Sequence, residues 1–254
     1  MSESKATRNG RSVEAASDRL SAHIEAELPR WVTLVIPLAT ICALYAVAAW
    51  DSQFYTRYFD GELGILENVQ LITLLVALIY GIAVLRMPVA REQRGLMPWA
   101  ALICLGCAVM IGEESSYGQH FMGWQTPDWL ADVNKQQETN IHNVSSWFNE
   151  KPRLLLELGI IAGGIVHPLM QRFVGRGLIA KPWWLMPTAA GLVCALIAEF
   201  STLPERLVKI GLLPETVLIM RVSEVHELYI FYFFVIYLAS LRARLGALAP
   251  AVKE

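Results

Sequence analysis

MPWAALICLGCAVMIGEESSYGQH, residues 97–120, decides how this chain is read. No charge appears from Met97 to Gly112, and then Glu113 and Glu114 follow without a break. The apolar stretch is close to the roughly 20 residues that a helix needs to cross a bilayer. Further apolar runs lie at about 31–50, 65–87, 154–174, 183–201 and 224–245. The composition agrees, with 254 residues, 55% hydrophobic and a mean hydropathy of +0.42. The expected fold is all-α, a polytopic membrane protein of six transmembrane helices.

Working outward, residues 1–30 form a polar tail without the apolar core of a signal peptide. The first apolar run is then the insertion signal. Val13, Ala16, Leu20, Ile24 and Leu28 recur at helical spacing, as in a surface-lying amphipathic helix; a solvated tail is the other reading. Residues 31–246 make the transmembrane domain and 247–254 a second tail. Residues 116–153 are the only long connection, expected as a partly helical cap. Within it Thr126-Pro127-Asp128 reads as a helix start, with Thr126 as N-cap and Pro127 first in the helix. Ile141, Val144 and Phe148 give a second periodic stretch.

Charge orients the bundle. With both termini cytoplasmic, 14 of the 21 Lys and Arg fall inside, as the positive-inside rule asks. Sixteen of the 23 carboxylates fall outside or at the outer ends of spans. The expected location is the bacterial cytoplasmic membrane, multi-pass, N-in and C-in. No long basic cluster points to nucleic acid. Cys104 and Cys107 sit one turn apart inside a span, where free cysteines behave as small apolar residues. No structural disulfide is expected.

Carboxylates at membrane depth are costly and mark functional sites. Glu67, Glu113, Glu114, Glu199, Glu224 and Glu227 all lie at the outer level. If the third helix runs on to residue 120, Glu113, Ser116 and His120 share a stripe and Glu114 faces elsewhere. Glu224 and Glu227 lie three apart on one face, whereas His226 points away and reads as an interfacial histidine. Gln70 follows Glu67 on the same face. The cap adds Gln119, Glu138, His142 and Asn143. Glu157 lies one turn beyond Arg153 and reads as its ion-pair partner, and His167, next to Gly163-Gly164 and Pro168, reads as a packing kink. Pro204 is expected to stop the fifth helix. Carboxylates that converge in a water-poor site share protons or bind a hard cation. A His among them widens the choice of divalent metal to Zn, Mn or Fe.

The run Gly112-Glu113-Glu114-Ser115-Ser116-Tyr117-Gly118-Gln119, with Gln137-Glu138 and His142-Asn143 behind it, resembles a family of multi-span bacterial membrane proteins. Its pattern is Gly-Glu-Glu-Ile-Ser-Trp-Gly-Gln followed by Gln-x-Glu and His-Asn. The stretch Glu62-Leu63-Gly64 to Glu67 belongs to the same pattern, and the likeness covers about residues 60–145. Ser115, Tyr117 and His120 stand where the family has Ile, Trp and Arg. The resemblance implies a membrane fold with a site at this level and no particular reaction.

Three functions suit these residues. One is an integral-membrane hydrolase or transferase acting on a lipid, a lipid-linked group or a periplasmic molecule. Its general acid–base residues are Glu113, Glu114 and Glu227, and its metal ligands are Glu114, Glu199, Glu224 and His142. A second is an accessory subunit that docks a partner on its acidic face. A third is a proton- or cation-coupled carrier, for which the inner halves of the spans offer only His167 and Gln171.

Overall fold

The computed structural model describes residues 28–60, 64–134, 137–141, 144–215 and 220–248, with backbone alone at 120, 146 and 148–150. The N-terminal helix expected around Val13–Ile24, Glu62, His142, Asn143 and the end of the C-terminal tail lie outside the described residues. Every element among the described residues is helical. Five helices are long and apolar enough to cross a membrane: α1 (Trp31–Trp50), α3 (Ile65–Arg86), α4 (Leu96–Glu114), the Lys151–Val174 stretch of α5, and α8 (Val222–Leu248). Shorter ones include α2 (Ser52–Tyr58), α6 (Leu192–Ser201) and α7 (Leu203–Lys209).

Local chemistry sets these boundaries. Asp51 breaks α1 with an extended backbone, and its carboxylate accepts from the N–H groups of Gln53 and Phe54, each at 2.9 Å, to start α2. Trp50, Phe54 and Tyr58 then form an exposed aromatic ladder at this corner, the kind that sits at headgroup level. Gly95, at φ 84°, allows the tight turn into α4. α5 starts at Ser146, earlier than expected, so the cap is shorter. It runs through a π segment at Ile161–Val166 into His167–Val174.

The core is organised around α8. Most of this helix is buried, from Val222 to Leu241, as a central helix must be. It packs against α3 and α6, and α3 also packs against α4. Gln70, Thr73, Leu74, Ala77, Gly81 and Val84 line the buried face of α3. Cys104 fills the space over Gly81, where a Cβ would lie 2.5 Å from its Sγ. All four cysteines are free. The opposite faces of α3, α4 and α5 expose Ile72, Leu75, Ile79, Leu102, Leu105, Leu155 and Leu158.

The helix expected over 183–201 takes another form. Residues 183–188 are irregular, and α6 holds only Leu192–Ser201. Pro182 and Pro187 each disfavour helix at the residue before them and remove an N–H. The segment nevertheless follows α8 closely. Arg244 Nη1 donates to the Trp183 carbonyl at 3.3 Å. Tyr237 OH donates to the Trp184 carbonyl at 2.7 Å and accepts from Trp99 Nε1 at 2.8 Å. The hydroxyls of Thr188 and Ser240 meet at 3.3 Å, and Cys194 Sγ donates to the Tyr229 carbonyl at 3.2 Å. From Arg244 up to His226 is about 27 Å of helix.

A π segment at Ile161–Val166 precedes His167 and Pro168, and α6 ends just ahead of Pro204. His167 is buried, with Nδ1 accepting from the Leu178 N–H at 3.1 Å. Pro204 opens α7 directly after α6.

Glycine makes the close approach of α5 to this core possible. A Cβ on Gly164 would lie 2.7 Å from the Phe233 ring and 2.8 Å from the Ala195 methyl. Gly164→Val is expected to lower stability by about 1–3 kcal/mol. Gly106→Ala, where a Cβ meets nothing within 4 Å, is expected to leave it unchanged. Thermal unfolding of both variants in one detergent checks this.

Candidate functional site

The C-terminal end of α4 does not continue as a helix. Ser116 and Tyr117 adopt φ 43° and 54°, and Gly118 φ 96°. Left-handed backbone at non-glycine residues costs ~1–3 kcal/mol each and persists only where the surroundings enforce it. Here a buried polar knot enforces it. Ser116 Oγ donates to Glu138 Oε2 at 3.0 Å and accepts from Asn140 Nδ2 at 3.0 Å. Asn140 Nδ2 also reaches Glu138 Oε2 at 2.6 Å, and Asn134 Nδ2 holds the carbonyl and Oδ1 of Asn140 at 2.8 Å. Glu113 Oε1 accepts from Tyr117 OH at 2.9 Å and its Oε2 from the Ile141 N–H at 2.7 Å. Burial, then the bond to Glu113, raises the Tyr117 pKa. Gln119 Oε1 takes the Thr139 N–H at 2.7 Å, while its Nε2 donates to Thr126 Oγ1 at 3.0 Å.

The stripe expected from Glu113 through Ser116 to His120 is therefore not formed, because the helix stops at Glu114. Glu113, Ser116, Gln119 and Glu138 fasten the 126–141 segment to the end of α4. Pro127, not Thr126, flanks the short helix Asp128–Ala131, and Thr126 Oγ1 instead donates to the Gln137 carbonyl at 2.7 Å.

Glu114 turns the other way. It lies within electrostatic range of Glu227, Glu224, Glu67 and Glu113. Three long helices thus bring carboxylates to one level: α3 with Glu67, α4 with Glu114, α8 with Glu224 and Glu227. Gln70 Nε2 donates to the Glu224 carbonyl at 2.8 Å and lies 3.3 Å from its Oε2. Of the expected residues, Glu67, Gln70, Glu114, Glu224 and Glu227 share this region.

Beside it is a second polar group that the sequence reading underrated. His226 is fully buried, not interfacial. Arg153 Nη2 lies 2.7 Å from His226 Nδ1, and Arg153 Nη1 lies 3.1 Å from Glu227 Oε1. Arg153 also pairs with Glu157 at 3.6 Å, as expected from their spacing. Arg206 bridges Glu157 at 3.3 Å and Glu199 at 3.9 Å. A guanidinium only donates, so Nδ1 is the acceptor and His226 carries its proton on Nε2. That nitrogen faces Glu157 at 3.7 Å and Glu199 at 4.0 Å. Glu199 thus stands with Arg206 and His226. His226 was misplaced because it stands off the more open side that carries Glu224 and Glu227, and that other side of α8 is covered by protein. Arg206 gave no sequence signal, since its contacts depend on the turn between α6 and α7.

Among the described residues, no three of His, Cys, Asp and Glu are grouped as a metal site requires. Compared with protein-family models, curated proteins and solved structures, the chain matches none.

Asp60, at the corner between α2 and α3, is a buried carboxyl that the sequence did not mark. Burial pushes its pKa from 3.8 up to about 6, with Arg221 opposing and Glu224 adding to the rise. The folded protein therefore holds this proton more tightly than the unfolded chain does. The stabilisation is complete below pH 3.8 and is lost as the pH climbs through about 6. Asp60→Asn is expected to remove this loss, worth on the order of a few kcal/mol. Unfolding of parent and variant between pH 4 and 7 checks it; parallel curves refute it.

Proposed function

We propose that the protein is an integral-membrane enzyme with an acid–base site beneath the outer headgroups, acting on a lipid or lipid-linked substrate by hydrolysis or group transfer. The observation that carries this is Glu114 among Glu67, Glu224 and Glu227, on three helices. Like charges so close, away from water, hold a proton or a cation between them. A carboxyl that exchanges such a proton near neutral pH serves as general acid or base. Glu114 and Glu227 take those roles. Arg153 orients Glu227 and fixes the proton of His226 on Nε2. The knot of Ser116, Glu138 and Asn140 folds the cap over the mouth and limits water.

The bundle belongs, on this reading, to the bacterial cytoplasmic membrane with both termini inside. The distribution of Lys and Arg supports that orientation. The segment 183–201 serves as the sixth crossing: irregular backbone is tolerated at membrane depth where protein buries it, and α8 supplies that burial. In the metal form of the same proposal Glu114, Glu224 and His142 would hold a divalent ion, which would supply Lewis-acid polarisation of a substrate oxygen. Glu199, engaged with Arg206, contributes no ligand to it.

A second reading, a proton-coupled carrier, draws on Tyr237, Ser240, Thr188 and Arg244. These polar groups continue along α8 toward its inner end, beside the irregular segment. Broken crossings with polar linings are a carrier feature.

Mass spectrometry of lipids after incubating the protein in nanodiscs of bacterial lipid extract tests the enzyme. The parent is expected to convert a lipid species, and Glu114→Gln to slow that conversion about 100-fold or more at unchanged thermal stability. No conversion by the parent, or equal conversion by the variant, sinks the proposal; proton flux in proteoliposomes would then favour the carrier. Elemental analysis addresses the metal form, which expects stoichiometric metal in the parent and its loss in Glu114→Gln. Reporter fusions at residue 130 and at the C-terminus are expected to report opposite sides of the membrane; the same side for both rules out six crossings.

A further inference from the structure

Trp183 joins three parts of the chain at the end of the bundle where α3 and α8 finish and α4 begins. Its Nε1 donates to Gln93 Oε1 at 3.3 Å, in the connection 87–95. Its carbonyl accepts from Arg244 Nη1 at 3.3 Å, and the Arg244 guanidinium lies 5.1 Å over its ring. The chain just ahead of it is fastened too, by the Leu178 N–H on His167 Nδ1 at 3.1 Å. Exposed cations stand on this junction. Arg91 and Arg94 lie within two residues of Gln93, and Lys181 lies two residues before Trp183. Arg86, Arg172 and Arg176, in the same two stretches of chain, are exposed as well. Across residues 86–98, 171–187 and 240–248 the only carboxylate is Glu92. Apolar side chains are interleaved with the cations: Phe173 is 79% exposed and Val174 59%, with Leu178 and Ile179 beside them in the chain.

We propose that this end of the bundle docks an anionic phospholipid, its phosphate against Arg91, Arg94 and Lys181 and its acyl region against Phe173. The mixture of side chains selects a lipid. A soluble polyanion answers the cations and leaves the apolar groups in water, whereas a phospholipid answers both. Guanidinium forks suit phosphate oxygens, which accept two parallel N–H bonds. The charge selects the headgroup class. Basic residues beside a span attract anionic lipid, and a zwitterionic headgroup would bring its own cation to a surface already rich in them. The site uses no residue of the carboxylate region and holds for either orientation of the chain, so it stands or falls apart from the enzyme proposal.

The test uses the full chain in an uncharged detergent, with phosphatidylglycerol or phosphatidylcholine added at equal concentration. Phosphatidylglycerol is expected to raise the thermal unfolding temperature saturably and to stay bound in native mass spectrometry. Phosphatidylcholine and inorganic phosphate are expected to do neither. Replacing Arg91, Arg94 and Lys181 together by Gln is expected to weaken phosphatidylglycerol binding about 100-fold. Phe173→Ser is expected to weaken it about tenfold, and Lys209→Gln, in the exposed pair with Glu205, to leave it unchanged. Equal responses to the two lipids overturn the proposal, as does an equal response to phosphate alone, which marks a free-anion site. Undiminished affinity in the triple variant also overturns it. If that variant fails to fold, Arg94→Gln decides, with about fivefold weaker binding expected and unchanged binding fatal.

Discussion

A largely buried helix that bears Glu224, His226 and Glu227 at one end is the constraint on which this molecule depends. Charged groups removed from water must be answered by charges or hydrogen bonds close by. Around α8 the answers come from separate parts of the chain. Arg153 at the head of α5 takes Glu227 and His226. Arg206, beyond α6, takes Glu157 and Glu199. Gln70 of α3 takes Glu224. These contacts fix the rotation and height of each neighbour against α8 more tightly than apolar packing does, since aliphatic surfaces slide at little cost and a guanidinium–imidazole contact does not.

The helical class and most of the long helices were legible from hydropathy. Residues 31–50, 65–87 and 97–115 correspond closely to α1, α3 and α4 because nothing but length and apolarity decides them. The run 183–201 was misread for the same reason: hydropathy measures burial and is blind to hydrogen-bond geometry, so Pro182 and Pro187 disappear inside an apolar average. The carboxylate grouping was legible too, as Glu67, Glu224 and Glu227 do lie within electrostatic range of Glu114. Side-chain partners were not. Spacing along a helix assigns faces and not what covers them; the side of α8 that carries His226 is buried against protein, and His226 was lost on that account. Glu113 and Ser116 were taken for site residues because the left-handed turn that diverts them depends on Glu138 and Asn140, about two dozen residues on.

The cap and the carboxylate level divide the tandem Glu113-Glu114 between two duties. Adjacent residues on a helix point about 100° apart. Glu113 faces the cap and spends both oxygens on it, and Glu114 faces the bundle. The abrupt end of α4 lets Glu113 hold the turn while Glu114 lies within electrostatic range of Glu67, Glu224 and Glu227. Gly112 is part of this division, since a Cβ there would strike the Tyr117 ring at 2.7 Å and displace the phenol that occupies Glu113.

The irregular stretch ahead of α6 has a consequence for how the chain is made. Its carbonyls at Trp183 and Trp184 are answered by Arg244 and Tyr237, which are translated some fifty residues later. Until α8 emerges, those groups have no partner in lipid, where unanswered backbone polarity is not tolerated. On the six-crossing reading this segment waits at the translocon and enters together with α8, so the last third of the protein is inserted as one piece.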